Sequence, residues 1–104
     1  MTKKIVAVTA CIAGIAHTYM AAENLKKYAK KEGYDIKVET QGAMGIENKL
    51  SQKDIDEADI VIFAVDTTFS GKDRFKNKKS VQIDTNKVLK NGEAAINKAI
   101  AATE

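Results

Sequence analysis

Ile5-Val6-Ala7-Val8 is a continuous apolar run, and the segment from Ile15 to Lys31 that follows it changes to a helical period. A short continuous run of this kind marks a strand buried on both faces of a parallel sheet. In the helical segment Ile15, Tyr19, Ala22 and Ala29 recur on one stripe, while Glu23, Lys26, Lys27 and Lys30 lie mostly off it. Gly33 is placed to stop that helix. Outward from this first strand–helix unit, Ile36 and Val38 alternate with Asp35, Lys37 and Glu39, which predicts an edge strand with one wet face. Gly42 and Gly45 mark a loop, and Ser51 followed by Asp54 resembles a capping box that opens a short helix. Ile60-Val61-Ile62-Phe63-Ala64-Val65 is a second continuous apolar run. Thr67 to Gly71 reads as loop, Lys72 to Asn77 as a short amphipathic segment, and Val81 and Ile83 as a last strand. Asp84 then caps a final helix that turns Val88, Leu89, Ile96, Ala99 and Ile100 inward and contains Gly92.

The pattern is strand–helix alternation. Short connections and right-handed crossovers fold it into a single α/β domain over residues 1–104. The expected architecture is an open four-stranded parallel sheet of order 2-1-3-4 with helices on both faces, a Rossmann-like, flavodoxin-like arrangement. Strand order reverses between strands one and three, and ligands of such folds bind there, outside the carboxyl ends of the strands. The loop after strand one is therefore the first candidate site.

Composition excludes several classes. The chain has 104 residues, 44% hydrophobic and 30% charged, ordinary values for a globular domain. No apolar run is long enough for a membrane span. The opening Met1-Thr2-Lys3-Lys4 leads into an apolar run too short for a signal peptide, so a cytoplasmic location is expected. Net charge is +3, with three tyrosines, three phenylalanines and no tryptophan. No aromatic residues interleave with basic ones, so nucleic-acid binding is not expected. A single cysteine excludes an internal disulfide, and one cysteine with one histidine cannot make a four-ligand structural zinc site. No Walker-type loop and no acidic metal pair is present, so no metal, ATP or other cofactor is implied.

The candidate loop reads Cys11-Ile12-Ala13-Gly14-Ile15-Ala16-His17-Thr18. Consecutive N–H groups in a turn that enters a helix form a nest for an anion, and the same field favours thiolate over thiol. One loop would thus supply a nucleophile, Cys11, and a cradle for three phosphoryl oxygens. On the residues alone two readings stay open, because a free cysteine is also a small buried hydrophobe. Gly14 serves a tight turn equally well, Thr18 a local bond, and His17 a polar position near the helix start. Asp66, at the carboxyl end of strand three, reads as a turn or cap residue or as a group that orients His17 or the loop. Lys72, Arg74, Lys76, Lys78 and Lys79 form either a docking rim for an acidic partner or a solvated surface.

The stretch Cys11-x-x-Gly14-Ile15-Ala16-His17-Thr18-Tyr19-Met20-Ala21-Ala22-Glu23 resembles the signature of the B component of fructose-type enzymes II of the bacterial sugar phosphotransferase system. Glu39-Thr40-Gln41-Gly42, Gly45-Ile46-Glu47-Asn48, Ala58-Asp59, Ala64-Val65-Asp66 and Asp73-Arg74-Phe75 extend the resemblance from strand one to strand four. It implies a phosphocarrier. Cys11 would accept a phosphoryl group from a phosphohistidine of the enzyme IIA component, and the backbone of Ile12, Ala13, Gly14, Ile15, Ala16, His17 and Thr18 would cradle it. The group would then pass to a sugar, fructose by family, held by the membrane-embedded IIC component. The chain would be cytoplasmic, associated transiently or covalently with that transporter. The family has Pro then Thr after the cysteine, whereas Ile12 and Ala13 stand here and the chain contains no proline.

Two other functions fit the same loop. A low-molecular-weight tyrosine phosphatase also has its cysteine loop after strand one, but His17 stands where its arginine clamp would be. A non-catalytic phosphate- or nucleotide-binding module of the same fold is the other.

Overall fold

The structure is a computed structural model and describes residues 3–10, 15–42, 45–76 and 78–103. Strands β1 (Lys4–Ala10), β2 (Asp35–Gly42), β3 (Gly45–Glu47), β4 (Ile60–Val65) and β5 (Val81–Ile83) form one sheet of order β3-β2-β1-β4-β5. Helices are α1 (Ile15–Lys31), α2 (Gln52–Glu57), α3 (Thr85–Lys90) and α4 (Gly92–Thr103), with a short 3-10 turn over Lys72–Phe75. The four predicted strands are present in the predicted order and run parallel.

The expected count of four strands is corrected to five. The glycine-marked loop is a hairpin in which Gly42 pairs with Gly45 and β3 runs back antiparallel to β2. Gly45 has φ +93°, which a glycine adopts without the Cβ penalty. β3 has three exposed residues and hence no apolar period to reveal it.

The continuous runs β1 and β4 are buried along nearly their whole length because both faces of the sheet are covered. On one face Ile5, Ala7, Ile62 and Ala64 pack under α1, α3 and α4, through Leu25, Val88 and Ile96. On the other, Val6, Val8, Val61 and Phe63 pack with Ile55 of α2, Leu50 and Phe75. Phe75 meets the Phe63 ring edge-on at 5.0 Å, a favourable aromatic geometry. Burial of these side chains stabilises the fold by about 1.5–3 kcal/mol each.

Local signals hold at most boundaries. α1 ends at Gly33, whose φ is +84°. Ser51 accepts from the Asp54 N–H while the Asp54 carboxylate accepts from the Ser51 N–H, completing the capping box of α2. A bond from Lys37 and those from Ser51 hold the Asp54 carboxyl down at about 2. The single final helix is corrected to two. Asp84 caps α3 as expected, accepting from the Asn86 N–H at 2.8 Å. The chain then breaks at Asn91, whose side chain accepts from the Ala94 N–H at 3.0 Å and opens α4. Gly92 sits where a Cβ would lie 2.7 Å from the Tyr28 ring, so its role is to let α4 approach α1.

Candidate functional site

β1 lies between β2 and β4, and its two crossovers leave on opposite faces, α1 on one and α2 on the other. The switch point expected from the sequence therefore falls at the carboxyl end of β1, at Ala10. Cys11, Ile12, Ala13 and Gly14 lie outside the described residues. α1 begins at Ile15, where the helical period places its start, so Ile15 to Thr18 of the predicted cradle form its first turn. A helix leaves the N–H groups of this turn outside its own ladder, with the positive end of its dipole beside them. The carboxyl end of β1 and the amino end of α1 thus bracket residues 11–14 in the sequence. Of the cradle residues within α1, Ala16 is exposed, His17 half-buried and Thr18 buried.

Asp66 follows β4 directly and is exposed. Its N–H donates to the Ala10 carbonyl at 3.3 Å, so its backbone borders the residue before Cys11. A second donor reaches the same carbonyl. The hydroxyl of Thr85, the first residue of α3, lies 3.4 Å from both Ala10 O and Ala64 O and is fully buried.

Sequence reasoning missed a layer of threonines here. Thr9 and Thr40 are register partners on the α1 side of the sheet. Thr18 comes down from α1, its methyl 3.9 Å from where a Gly42 Cβ would sit. All three are buried, and among the described residues their hydroxyls have no hydrogen-bond partner. Buried polar atoms are normally satisfied, so three such hydroxyls in one layer are unusual. The face below them is apolar (Ile5, Ala7, Val38, Ile62), and only this end of it is lined with hydroxyls. Tyr19, one residue beyond the predicted cradle, donates its phenol to the Glu47 carboxylate of β3, which raises the phenol pKa.

The other face ends in a charged clasp. Period two puts Glu39 on a wet face, yet it is 0% exposed. Arg74 grips it with two bonds, Nη1 to Oε1 at 2.8 Å and Nη2 to Oε2 at 2.9 Å. The Leu50 N–H and Gln41 Nε2 also donate to it, at 2.8 and 2.7 Å. Burial pushes this carboxyl up, but the bonds from Arg74, Gln41 and Leu50, with the Arg74 charge, outweigh it and hold the group below its usual value. Gln41 also exchanges bonds with the Ser70 backbone, accepting at 2.7 Å and donating at 2.8 Å. The loop after β4 is thereby tied to the end of β2. The basic stretch is accordingly divided. Arg74 belongs to the clasp, and Lys78 donates to the carbonyls of Asp56 and Ala58 at 2.9 Å at the end of α2. Lys72, Lys76 and Lys79 are exposed.

A cavity of about 410 Å³ opens at the opposite, amino end of the sheet. Its charged lining residues include Lys4, Glu57, Lys37 and Asp54, which are bound to one another as ion pairs, so its position and its chemistry separate it from the site. Among the described residues no group of three His, Cys, Asp or Glu side chains is placed to hold a metal ion, and no helix is long and apolar enough to cross a membrane.

Residues 6–98 match the family profile described as "PTS system, Lactose/Cellobiose specific IIB subunit". The chain is 45% identical over 95 residues to the "PTS system fructose-like EIIB component 2" of Escherichia coli K12, covering 91% of this chain and 90% of that protein. It is 52% identical over 90 residues to the "Fructose-like PTS system EIIBC component" of the same organism, covering 85% of this chain and 19% of that protein. Among solved structures, the Enzyme IIB subunit of the PTS system from Escherichia coli K12 superposes with a TM-score of 0.88 at 42% identity, covering 94% of this chain and 91% of that one. A domain of the fructose-specific IIABC component from Borrelia burgdorferi gives 0.87 at 44% identity, covering 95% and 94%.

Proposed function

Since the chain belongs to the IIB family of the sugar phosphotransferase system, we propose that Cys11 is the atom-bearing step of its role in sugar phosphotransfer, a phosphocysteine loaded by a IIA component and unloaded to a sugar. The observation that carries the reading is placement. β1, which ends at the residue before Cys11 in the sequence, stops at the topological switch point, and a 17-residue helix begins four positions after Cys11.

The chemistry follows from that placement. Cys11 reacts as thiolate, its proton already lost to solvent, and the helix amino end favours the charged form. Sγ attacks phosphorus in line, the S–P bond forms and the P–N bond to the donor histidine breaks. In the second step a sugar hydroxyl attacks, the O–P bond forms, the S–P bond breaks, and Sγ leaves as thiolate. Such transfers rely on positioning and on stabilising the equatorial oxygens. The N–H groups from Ile12 to Thr18 supply that stabilisation, with His17 and Asp66 in support. His17 in place of an arginine clamp disfavours hydrolysis, as a carrier requires.

The sugar we infer is fructose-like, and the acceptor site lies in a membrane IIC component. The EIIBC relative supports the IIC partner, since this chain matches a B portion of a protein whose name joins B and C. The fructose-like EIIB component 2 matches across nine-tenths of its length, whereas the lactose/cellobiose description belongs to the family as a whole, so that relative guides the choice. The chain then works at the cytoplasmic face of that transporter.

Intact-mass spectrometry after mixing with phosphorylated IIA tests this. The wild type gains one phosphoryl group and Cys11→Ala gains none. No gain by the wild type, from a donor competent on another acceptor, rejects the reading. His17→Ala slows loading without unfolding the protein; an unchanged rate removes His17 from the site.

A further inference from the structure

We propose that Thr85 is a positioning residue for phosphoryl transfer: its hydroxyl holds the Ala10 carbonyl and so fixes the end of β1, the residue before Cys11. The inference rests on the reading of Cys11 as phosphoryl acceptor. Thr85 is 0% exposed, and its hydroxyl lies 3.4 Å from both Ala10 O and Ala64 O. A hydroxyl has one proton, so it is shared between the two carbonyls. These are the carbonyls near the carboxyl ends of β1 and β4, the two strands that flank the switch point. The Ala10 carbonyl also takes the Asp66 N–H at 3.3 Å, so two donors from different elements fix its direction.

A peptide unit is planar, so a carbonyl held by two donors leaves the end of β1 little freedom to rotate. The buried hydroxyls of Thr9, Thr18 and Thr40 have no partner among the described residues. The Thr85 hydroxyl instead reaches 75 positions back along the chain, to the residue before Cys11. Its backbone place is also set independently, because Asp84 caps α3 without using the Thr85 side chain.

The test is single-turnover loading of Thr85→Val, which keeps the shape and removes the donor, beside Thr85→Ser, which keeps the donor. Phosphorylated IIA is the donor, and intact mass is the readout. Loss of one oriented hydrogen bond predicts a loading rate constant lower by about two- to ten-fold in Thr85→Val. The final phosphorylated fraction stays at the wild-type level, and Thr85→Ser returns to within about two-fold of the wild-type rate. A purely structural role would lower the loaded fraction and leave the rate constant of the folded molecules unchanged. Wild-type rates in Thr85→Val, or equal slowing in Thr85→Ser, overturn the proposal. Should Thr85→Val not fold, Thr85→Ala carries the same expectation. Failure of the wild type to load, or loading of Cys11→Ala, rejects the Cys11 reading itself and is distinct from either outcome at Thr85.

Discussion

Replacing Arg74 by methionine should reverse the way stability depends on pH as well as lower it. Arg74 supplies two of the four hydrogen bonds to a carboxylate that is 0% exposed. Without it, Glu39 keeps only the Leu50 N–H and the Gln41 amide, and its charge is buried without a counter-ion. Breaking a buried pair from one side costs about 3–5 kcal/mol. At roughly 4 °C per kcal/mol for a chain of this size, the midpoint of thermal unfolding should fall by about 12–20 °C at pH 7. In the wild type the bonded carboxyl lies below its ordinary value, so its contribution is present above the unfolded pKa of about 4.3 and is lost as pH falls through the folded one. In Arg74→Met the sign changes. Burial then dominates, the folded pKa rises above the unfolded value, and acidification toward pH 5 should recover part of the loss. Glu39→Gln/Arg74→Met removes the charge while keeping an acceptor for Leu50, and should recover most of the stability at pH 7. Urea unfolding of the three proteins between pH 4 and 8 measures all of this. An Arg74→Met variant within about 1 kcal/mol of wild type at pH 7, with the same m value, would refute the clasp as an energetic unit.

Three further outcomes follow from named contacts. Gly92→Ala should destabilise by about 1–3 kcal/mol despite the better helix propensity of alanine, because its Cβ would meet the Tyr28 ring at 2.7 Å and Asn24 at 3.1 Å; a gain in urea midpoint would show that the helices can part freely. Gly71→Ala places a Cβ 2.6 Å from the Arg74 guanidinium at φ +81°, so it should cost at least the 1–2 kcal/mol of a left-handed residue and weaken the clasp with it; an unchanged thermal midpoint rejects this. Replacing Lys72, Lys76 and Lys79 together by glutamine should slow loading by IIA at low salt and flatten its salt dependence, since these lysines are exposed while Arg74 and Lys78 are engaged; loading kinetics equal to wild type from about 0.01 to 0.3 M salt would assign them to plain surface.

What could be read in the sequence was whatever depends on neighbours a few positions apart. The runs Ile5–Val8 and Ile60–Val65, the stop at Gly33 and the caps at Ser51 and Asp84 are local, and each is where it was expected. The features that escaped are pairings across long separations. Period two assigned Glu39 to water because its partner, Arg74, lies 35 positions away. Gly92 read as a weak point inside one helix because its reason, the Tyr28 ring, belongs to α1. β3 escaped because three exposed residues carry no period, although the glycines at 42 and 45 were the right turn signal. The candidate loop was picked out by its motif and its position after a buried run, and its residues 11–14 lie outside the described residues. Thr85 gave no signal at all, because a threonine after an aspartate cap is unremarkable until the fold lays it over Ala10.

The distribution of polar groups ties the fold to the proposed chemistry. Away from the carboxyl edge both faces of the sheet are packed almost wholly with apolar side chains. At that edge one face ends in the hydroxyls of Thr9, Thr18, Thr40 and Thr85 and the other in the Glu39–Arg74 pair. Such groups cost free energy to bury, and a domain with 5–15 kcal/mol of total stability can hold few of them. Their concentration at the edge that carries Cys11 is difficult to explain by stability, because apolar side chains of similar size would do as well there. The proposed phosphocarrier role explains it. A phosphocarrier must present one small loop in a fixed geometry to two different partners in turn, so the loop has to stay open and its supports have to come from beneath. The charged clasp holds the loop after β4 from one side, and Thr85 holds the peptide before Cys11 from the other.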